Sequence, residues 1–299
     1  MNKMKIGIIG LDTSHVSAFT KLLNDPQHPH YVPGGEVVVA YPGGSSDMEL
    51  SYSRVEGFTT ELRDQFNVEI AQTPEEVAEK SDAILLESVD GRVHLEQFQK
   101  IVSYGKPVFI DKPLAISSKE ANEIFKLSDQ YGTPIMSCSS LRYSEGFSNA
   151  LADPEKGEII GIDCSGPLAI EPSHGLFWYG IHTAEMLYRA LGSGCEKVTV
   201  VKNDDHDLIV GEWKDGRIGS LRGNRKGNSV FGALIHREKG TQFVDVSEDK
   251  TPFYASLMEE IIHLFKDGVA SIDREETLEI IRFLEAATES RSTGKTVLL

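Results

Sequence analysis

Apolar positions in the first 140 residues fall into short unbroken runs separated by stretches of helical period. Lys5 to Leu11 is such a run, with Ile6, Ile8 and Ile9 around Gly7 and Gly10, and it predicts a buried strand. Ser14 to Asn24 then places Val16, Phe19, Leu22 and Leu23 on one helical face. Glu36 to Tyr41, Ala83 to Glu87, Pro107 to Ile110 and Pro134 to Cys138 predict further strands. Helices are predicted near Ser53 to Gln65, after the capping box Thr73-Pro74-Glu75-Glu76, over Arg92 to Tyr104 behind Asp90 as cap, and from Ser117-Ser118-Lys119-Glu120 to Tyr131. Strand and helix alternating in this way imply a parallel sheet covered on both faces.

After about residue 140 the rhythm changes. Glu158 to Leu168, Lys197 to Lys202, Leu208 to Trp213, Arg217 to Arg222, Val230 to Ile235 and Gln242 to Val246 read as strands. Short turns such as Lys214-Asp215-Gly216 join them, which suits hairpins. Helices are predicted over Gly180 to Leu191, Phe253 to Lys266 and Asp273 to Ser290. The pattern predicts an α/β chain of two domains, 1–140 with a parallel sheet and 141–299 with a mostly antiparallel open sheet and helices on one face.

Composition narrows the partners. The formal net charge of the 299 residues is -16, which argues against nucleic acid and anionic membrane surfaces. No apolar run approaches the ~18 residues of a spanning helix, and the N-terminus lacks a small-residue cleavage site, so a cytoplasmic protein is expected. Cys138, Cys164 and Cys195 are widely scattered and read as free thiols in a reducing compartment.

Chemistry enters where the run Pro107-Val108-Phe109-Ile110 meets Asp111-Lys112-Pro113. Open parallel sheets bind ligands beside the carboxyl ends of their strands, so Lys112 is placed to reach a bound oxygen. Far along the chain stands Trp178-Tyr179-Gly180-Ile181-His182-Thr183-Ala184-Glu185. With the two-part organisation, the strand–lysine–proline motif and the Gly-x-His helix start resemble the glucose–fructose oxidoreductase / inositol dehydrogenase (Gfo/Idh/MocA) family. That family carries Glu-Lys-Pro where this chain has Asp111-Lys112-Pro113, and Asp-x-Gly-x-His-x-x-Asp where this chain ends in Glu185 and starts with Trp178. The resemblance covers essentially the whole chain. It implies a Rossmann-like N-terminal domain and oxidation of a sugar, inositol or polyol hydroxyl, or the reverse, with NAD or NADP. His182 would be the base, Lys112 would hold the reacting oxygen, and Glu185 would orient the imidazole or bind a substrate hydroxyl. Pairing through the open face of the second sheet, as a homodimer or homotetramer, is also implied.

The expected fingerprint Gly-x-Gly-x-x-Gly reads Gly10-Leu11-Asp12-Thr13-Ser14-His15, so only the first glycine matches. Asp12, Thr13 or Ser14 could cap the helix themselves. Tyr41 stands where an acid for the adenosine ribose is expected, while the Gly43 to Ser46 turn with Arg54 suits a 2′-phosphate. These departures keep a rival reading alive: a catalytically silent relative that senses a sugar-like ligand. Ser88, Asp90 and His94, after the third core strand, and Asp111 are further candidates for the cofactor. Arg142, Tyr143, Trp178 and Tyr179 are candidates for the substrate. His174, His182 and Glu185 cluster in sequence but lack a metal spacing, so no metal is expected.

Overall fold

A computed structural model describes residues 3–299; Met1 and Asn2, where the expected first domain begins, lie outside the described residues. The chain divides into two compact units. The first comprises the chain to Ala115, Lys119–Cys138 and Tyr254–Asp273. The second comprises Ile116–Ser118, Ser139–Phe253 and Arg274–Leu299.

The first unit runs β1 (Met4–Ile9), α1 (His15–Asn24), β2 (Gly35–Tyr41), α2 (Glu49–Phe66), β3 (Glu69–Ile70), α3 (Pro74–Lys80), β4 (Ala83–Leu86), α4 (His94–Ile101), β5 (Val108–Ile110), α5 (Ser118–Tyr131) and β6 (Ile135–Met136). Its parallel sheet has the order β3-β2-β1-β4-β5-β6: strands are added outward from β1 in one direction up to β3 and in the other from β4 on. Ile6, Ile8, Ile9, Ile84, Leu85, Leu86, Val108, Phe109 and Ile110 are fully buried. Both faces of these strands are covered, which is why they read as unbroken apolar runs rather than alternating ones. Register decides the site. Leu86 pairs with Ile110, so Glu87 and Asp111 leave adjacent strands side by side. Backbone bonds fix both exits, Glu87 N donating to Ile9 O and Asp111 N to Leu86 O.

The second unit holds α6 (Glu145–Ala152), β7 (Ile159–Pro167), α7 (Phe177–Leu191), β8 (Cys195–Lys202), β9 (His206–Trp213), β10 (Ile218–Asn224), β11 (Gly232–Arg237), β12 (Gly240–Asp245), then α8 (Phe253–Asp267), α9 (Arg274–Thr293) and β13 (Val297–Leu298). The sheet order is β12-β11-β7-β10-β9-β8-β13, antiparallel except for β7 beside β10. One face packs under α7 and α9; Gly219, for example, lies so close to Leu187 and Leu191 that a Cβ would collide with them. The other face exposes Val201, Leu208, Ile218, Leu234 and Phe243.

Three departures from the sequence reading have physical causes. Most of α8 returns to the first unit, where Tyr254 packs against His15 and Phe19. A helix's apolar stripe says that it packs, not on what, so the boundary at 140 captured only the main chain crossing. Helix α7 starts at Phe177, not Gly180, with Leu176 as a cap that offers no side-chain acceptor. Asp90 does not cap α4 either; Val93 holds that position, while the Asp90 carboxylate accepts from Arg92 N and its guanidinium.

Candidate functional site

The lip of the first sheet gathers four ionisable groups. His15 opens α1, Glu87 follows β4, and Asp111 and Lys112 follow β5. His15 Nδ1 lies 2.9 Å from Asp111 Oδ2 and 3.6 Å from Glu87 Oε2. The shorter contact is off the line of a hydrogen bond, so it is an ion pair and not a directed bond. Lys112 Nζ lies 3.6 Å from the same Asp111 Oδ2. The Lys112 side chain is 12% exposed and donates no hydrogen bond among the described residues. An ammonium nearly withdrawn from water with its donors unspent is costly unless something else uses them. The Lys112–Pro113 peptide is cis.

Burial disfavours the charged form of every member, and mutual charge then decides. Burial pushes the His15 imidazole down, but the Asp111 carboxylate more than offsets it and carries His15 up to about 9. Burial and the neighbouring Asp111 push Glu87 up to about 7. Asp111 feels the same burial, yet His15 and Lys112 hold it well below the usual carboxylate range. For His15 the folded value lies above the ordinary 6.5, so its stabilisation is full below about pH 6.5 and is lost as pH rises through about 9. The melting temperature is therefore expected to fall by several degrees between about pH 7 and pH 9.5. That fall should vanish in a His15→Asn background. Thermal melts across that range check it.

The β1–α1 turn decides whether the residues present fit a dinucleotide. Gly10 has φ +91°, and a Cβ there would strike the Ser88 backbone, so the first glycine of the fingerprint is structurally required. Asp12 is fully buried; its carboxylate accepts from Ser51 Oγ at 2.5 Å and Val89 N at 2.9 Å. Burial raises its carboxyl above the usual value. The charge that threatened a pyrophosphate is thus turned to internal donors. The backbone N–H groups of Thr13 and Ser14, ahead of α1, meet no acceptor among the described residues. Such amides are what a phosphate takes at a helix N-terminus, and the turn fits the cofactor's pyrophosphate without its second and third glycines.

The rest of the rim is occupied internally. Ser88 Oγ donates to Gln97 Oε1. His94, expected to touch the cofactor, instead has both ring nitrogens facing carbonyls: Nε2 faces Ser88 O, and Nδ1 faces Pro113 O and Leu114 O. It braces the turn after Lys112 against the exit of β4. At the end of β2, Asp47 holds Arg92 through two contacts of 2.9 Å. The Gly43 to Ser46 turn, expected to take a 2′-phosphate, gives its Ser45 N–H to Ser51 Oγ.

In the second unit, α7 presents His182, whose Nδ1 lies 2.7 Å from Ser139 Oγ. Ser139 is buried and also accepts from Leu141 N. Rings surround the imidazole, Phe231 at 5.4 Å and Tyr179 at 5.9 Å between centroids, with Trp178 beside Tyr179 and His174. Glu185 was expected to orient His182. It is instead buried against the Arg142 guanidinium at 2.8 Å, and Arg142 also reaches Glu276. Arg142, taken from sequence as a substrate contact, is 3% exposed and is a structural cation. Tyr143 is buried as well, with Arg189 over its ring. Trp178 and Tyr179 keep partly open surfaces. Sequence reasoning missed Glu87, Ser139 and Phe231. Only Glu87 left a signal, an acid directly after a core strand.

A parallel sheet whose winding reverses between β1 and β4 is a doubly wound, Rossmann-type fold, which takes its ligands beside the carboxyl ends of the strands at that reversal. Residues 4–138 match the model of the Gfo/Idh/MocA oxidoreductase family, described as having an NAD-binding Rossmann fold. Over those residues the chain matches that family. Similar solved structures include myo-inositol 2-dehydrogenase from Lactobacillus plantarum, at TM-score 0.81 and 15% identity over 100% of both chains. The apo scyllo-inositol dehydrogenase from Lactobacillus casei has TM-score 0.81 and 15% identity over 99% of this chain and 98% of that one. GenD2 from gentamicin A biosynthesis, in complex with NAD, has TM-score 0.80 and 15% identity over 100% and 97%. At these identities the likeness is one of fold. No curated protein matches the chain in sequence. Among the described residues no helix is long and apolar enough to cross a membrane.

Proposed function

We propose that this NAD-linked oxidoreductase interconverts a hydroxyl and a carbonyl on an inositol, sugar or related polyol, in the cytoplasm. The observation that carries the reading is Lys112: a nearly buried ammonium with unspent donors at the exit of β5. Its role is to hold the reacting oxygen and favour the negative charge that grows there. NAD, when bound, supplies the acceptor for the hydride that leaves the carbinol carbon. The hydroxyl proton goes to His182. That role requires Nδ1–H to donate to Ser139 Oγ, which leaves Nε2 as the basic atom. Trp178 and Tyr179 suit the apolar face of a polyhydroxylated ring. The names of solved relatives, two of them inositol dehydrogenases, agree with that substrate class. Three buried cysteines, none in a disulfide among the described residues, agree with a reducing compartment.

The test is direct. Millimolar NAD is expected to raise the melting temperature by mass action, and NADP to raise it less. A panel of inositols and sugar alcohols is then expected to reduce NAD at 340 nm. No thermal shift with either cofactor favours the silent, ligand-sensing relative. The apolar outer face of the second sheet supports a homodimer or tetramer. Phe243→Asp on that face is expected to shift the species seen by light scattering toward the monomer.

A further inference from the structure

The four-member cluster at the lip contains a residue with no role in the reaction as proposed: His15. It is 7% exposed, and what faces it is Glu87 from β4, Asp111 and Lys112 from β5, Phe19 from its own helix and Tyr254 from α8. The Phe19 ring stacks at 5.4 Å and the Tyr254 ring meets it edge-on at 5.0 Å, so the imidazole is held from both sides. A histidine clamped between rings and aimed at two carboxylates has little freedom left. Phosphate contact through its side chain would require breaking an ion pair.

His15 and Lys112 compete for one oxygen. Asp111 Oδ2 is 2.9 Å from the imidazole and 3.6 Å from the ammonium. Without His15, the nearest cation to that carboxylate would be Lys112, and a short lysine–carboxylate bond would spend the donors the reaction needs. With His15 in place, the shorter contact is the imidazole's, and the ammonium stays beyond hydrogen-bond distance. The two buried carboxyls are then matched by two cations, a buried arrangement that electrostatics tolerates only when complete.

We infer that His15 is a positioning residue for Lys112: as an imidazolium it occupies Asp111, and so leaves the lysine ammonium available to a substrate oxygen. The identification of Lys112 as the group that serves substrate rests on the proposed function. The His15–Lys112 coupling does not. A rival occupant of the same cluster is a divalent cation, because His15, Glu87 and Asp111 offer ligand atoms within 4.8 Å of one another. Two cations already balance the carboxyls, and a metal would have to displace the proton from His15 beside the Lys112 ammonium. The cluster is therefore assigned to protons.

The experiment uses the full-length protein without cofactor or substrate. Histidine ring nitrogens labelled with 15N report the protonation of His15 by NMR. The imidazole is expected to be charged at neutral pH and to titrate near 9. Lys112→Met should move the midpoint upward, since a neighbouring cation is removed, and Asp111→Asn should lower it by more than about one pH unit. Coupling between two proton sites is reciprocal, so a shift on deleting Lys112 measures the bias His15 exerts on the lysine. His15→Asn is expected to lower the melting temperature, and His15→Asn with Glu87→Gln to recover most of the loss, because one unmatched charge is removed with the other. A midpoint unmoved by Lys112→Met overturns the inference. So does a neutral His15 at pH 7, a double variant worse than the single one, or one equivalent of divalent metal in the purified protein. Failure of NAD to bind would remove the proposed function and leave this coupling measurable.

Discussion

Lys112→Met is expected to lower NAD-linked polyol oxidation about 10²–10³-fold, the range seen when a preorganised charge at a developing oxyanion is deleted. The loss should fall on kcat more than on KM for NAD, because the ammonium acts where charge grows in the transition state. Stability should fall as well, because the deleted ammonium is one of the two cations that face the buried Glu87 and Asp111 carboxyls. Methionine keeps the length of the side chain, so the loss is one of charge, and the rate is compared at a temperature where both proteins are folded. Loss of the ammonium has one further consequence: Lys112 helps lower the Glu87 carboxyl, so Glu87 should ionise at a higher pH in the variant. Steady-state kinetics with a thermal melt as control decide the matter. A variant that retains a tenth or more of the rate would remove Lys112 from the chemistry.

Arg142→Met is expected to have the largest effect on folding. Arg142 is 3% exposed and is the cation shared by Glu185 and Glu276. Removing one partner of a buried pair leaves the other uncompensated, at a cost of about 3–5 kcal/mol. For a chain of this size that corresponds to a melting temperature lower by roughly 10 °C. The deficit should depend on pH. Burial pushes the Glu185 carboxyl up to about 7 even with Arg142 beside it, and without the guanidinium it rises further. A carboxyl raised in the folded state favours folding when protonated, and that contribution is lost as pH rises from the ordinary 4.5 through about 7. The gap between variant and wild type should therefore narrow at about pH 5 and widen at about pH 8. An equal gap at both would show that packing, not charge, sets the cost.

Much of the first unit was legible because a strand buried on both faces must be apolar throughout. The runs at Ile6, Ile84 and Val108 are short and apolar throughout, and their length favours strands over helices. The position of Lys112 followed, since a strand's carboxyl end is fixed once the strand is. His182 was singled out as a candidate through its motif, and Tyr179 and Trp178, whose rings lie in one chain of contacts with it, through helical proximity. Function assigned to single polar residues fared differently. Asp12 looked like a carboxylate placed against a phosphate, yet Ser51, 39 residues away, and the Val89 amide take it up. His94 looked like a cofactor contact and is a brace between backbone carbonyls. Arg142 looked like a substrate ligand and is a buried counter-ion.

The sequence by itself determined the strand and helix periods, the parallel character of the first sheet, the lysine at its lip and the change to an antiparallel second half. These follow from local spacing, because solvent and core are sorted within a few residues of chain. Tertiary structure alone decided which charges meet. Register set Glu87 beside Asp111, the turn after β1 brought His15 between them, and α8 returned across more than a hundred residues of the second unit to lay Tyr254 on that imidazole. Coulomb energy depends on distance in space and on the dielectric around it, and neither is written in the order of the residues.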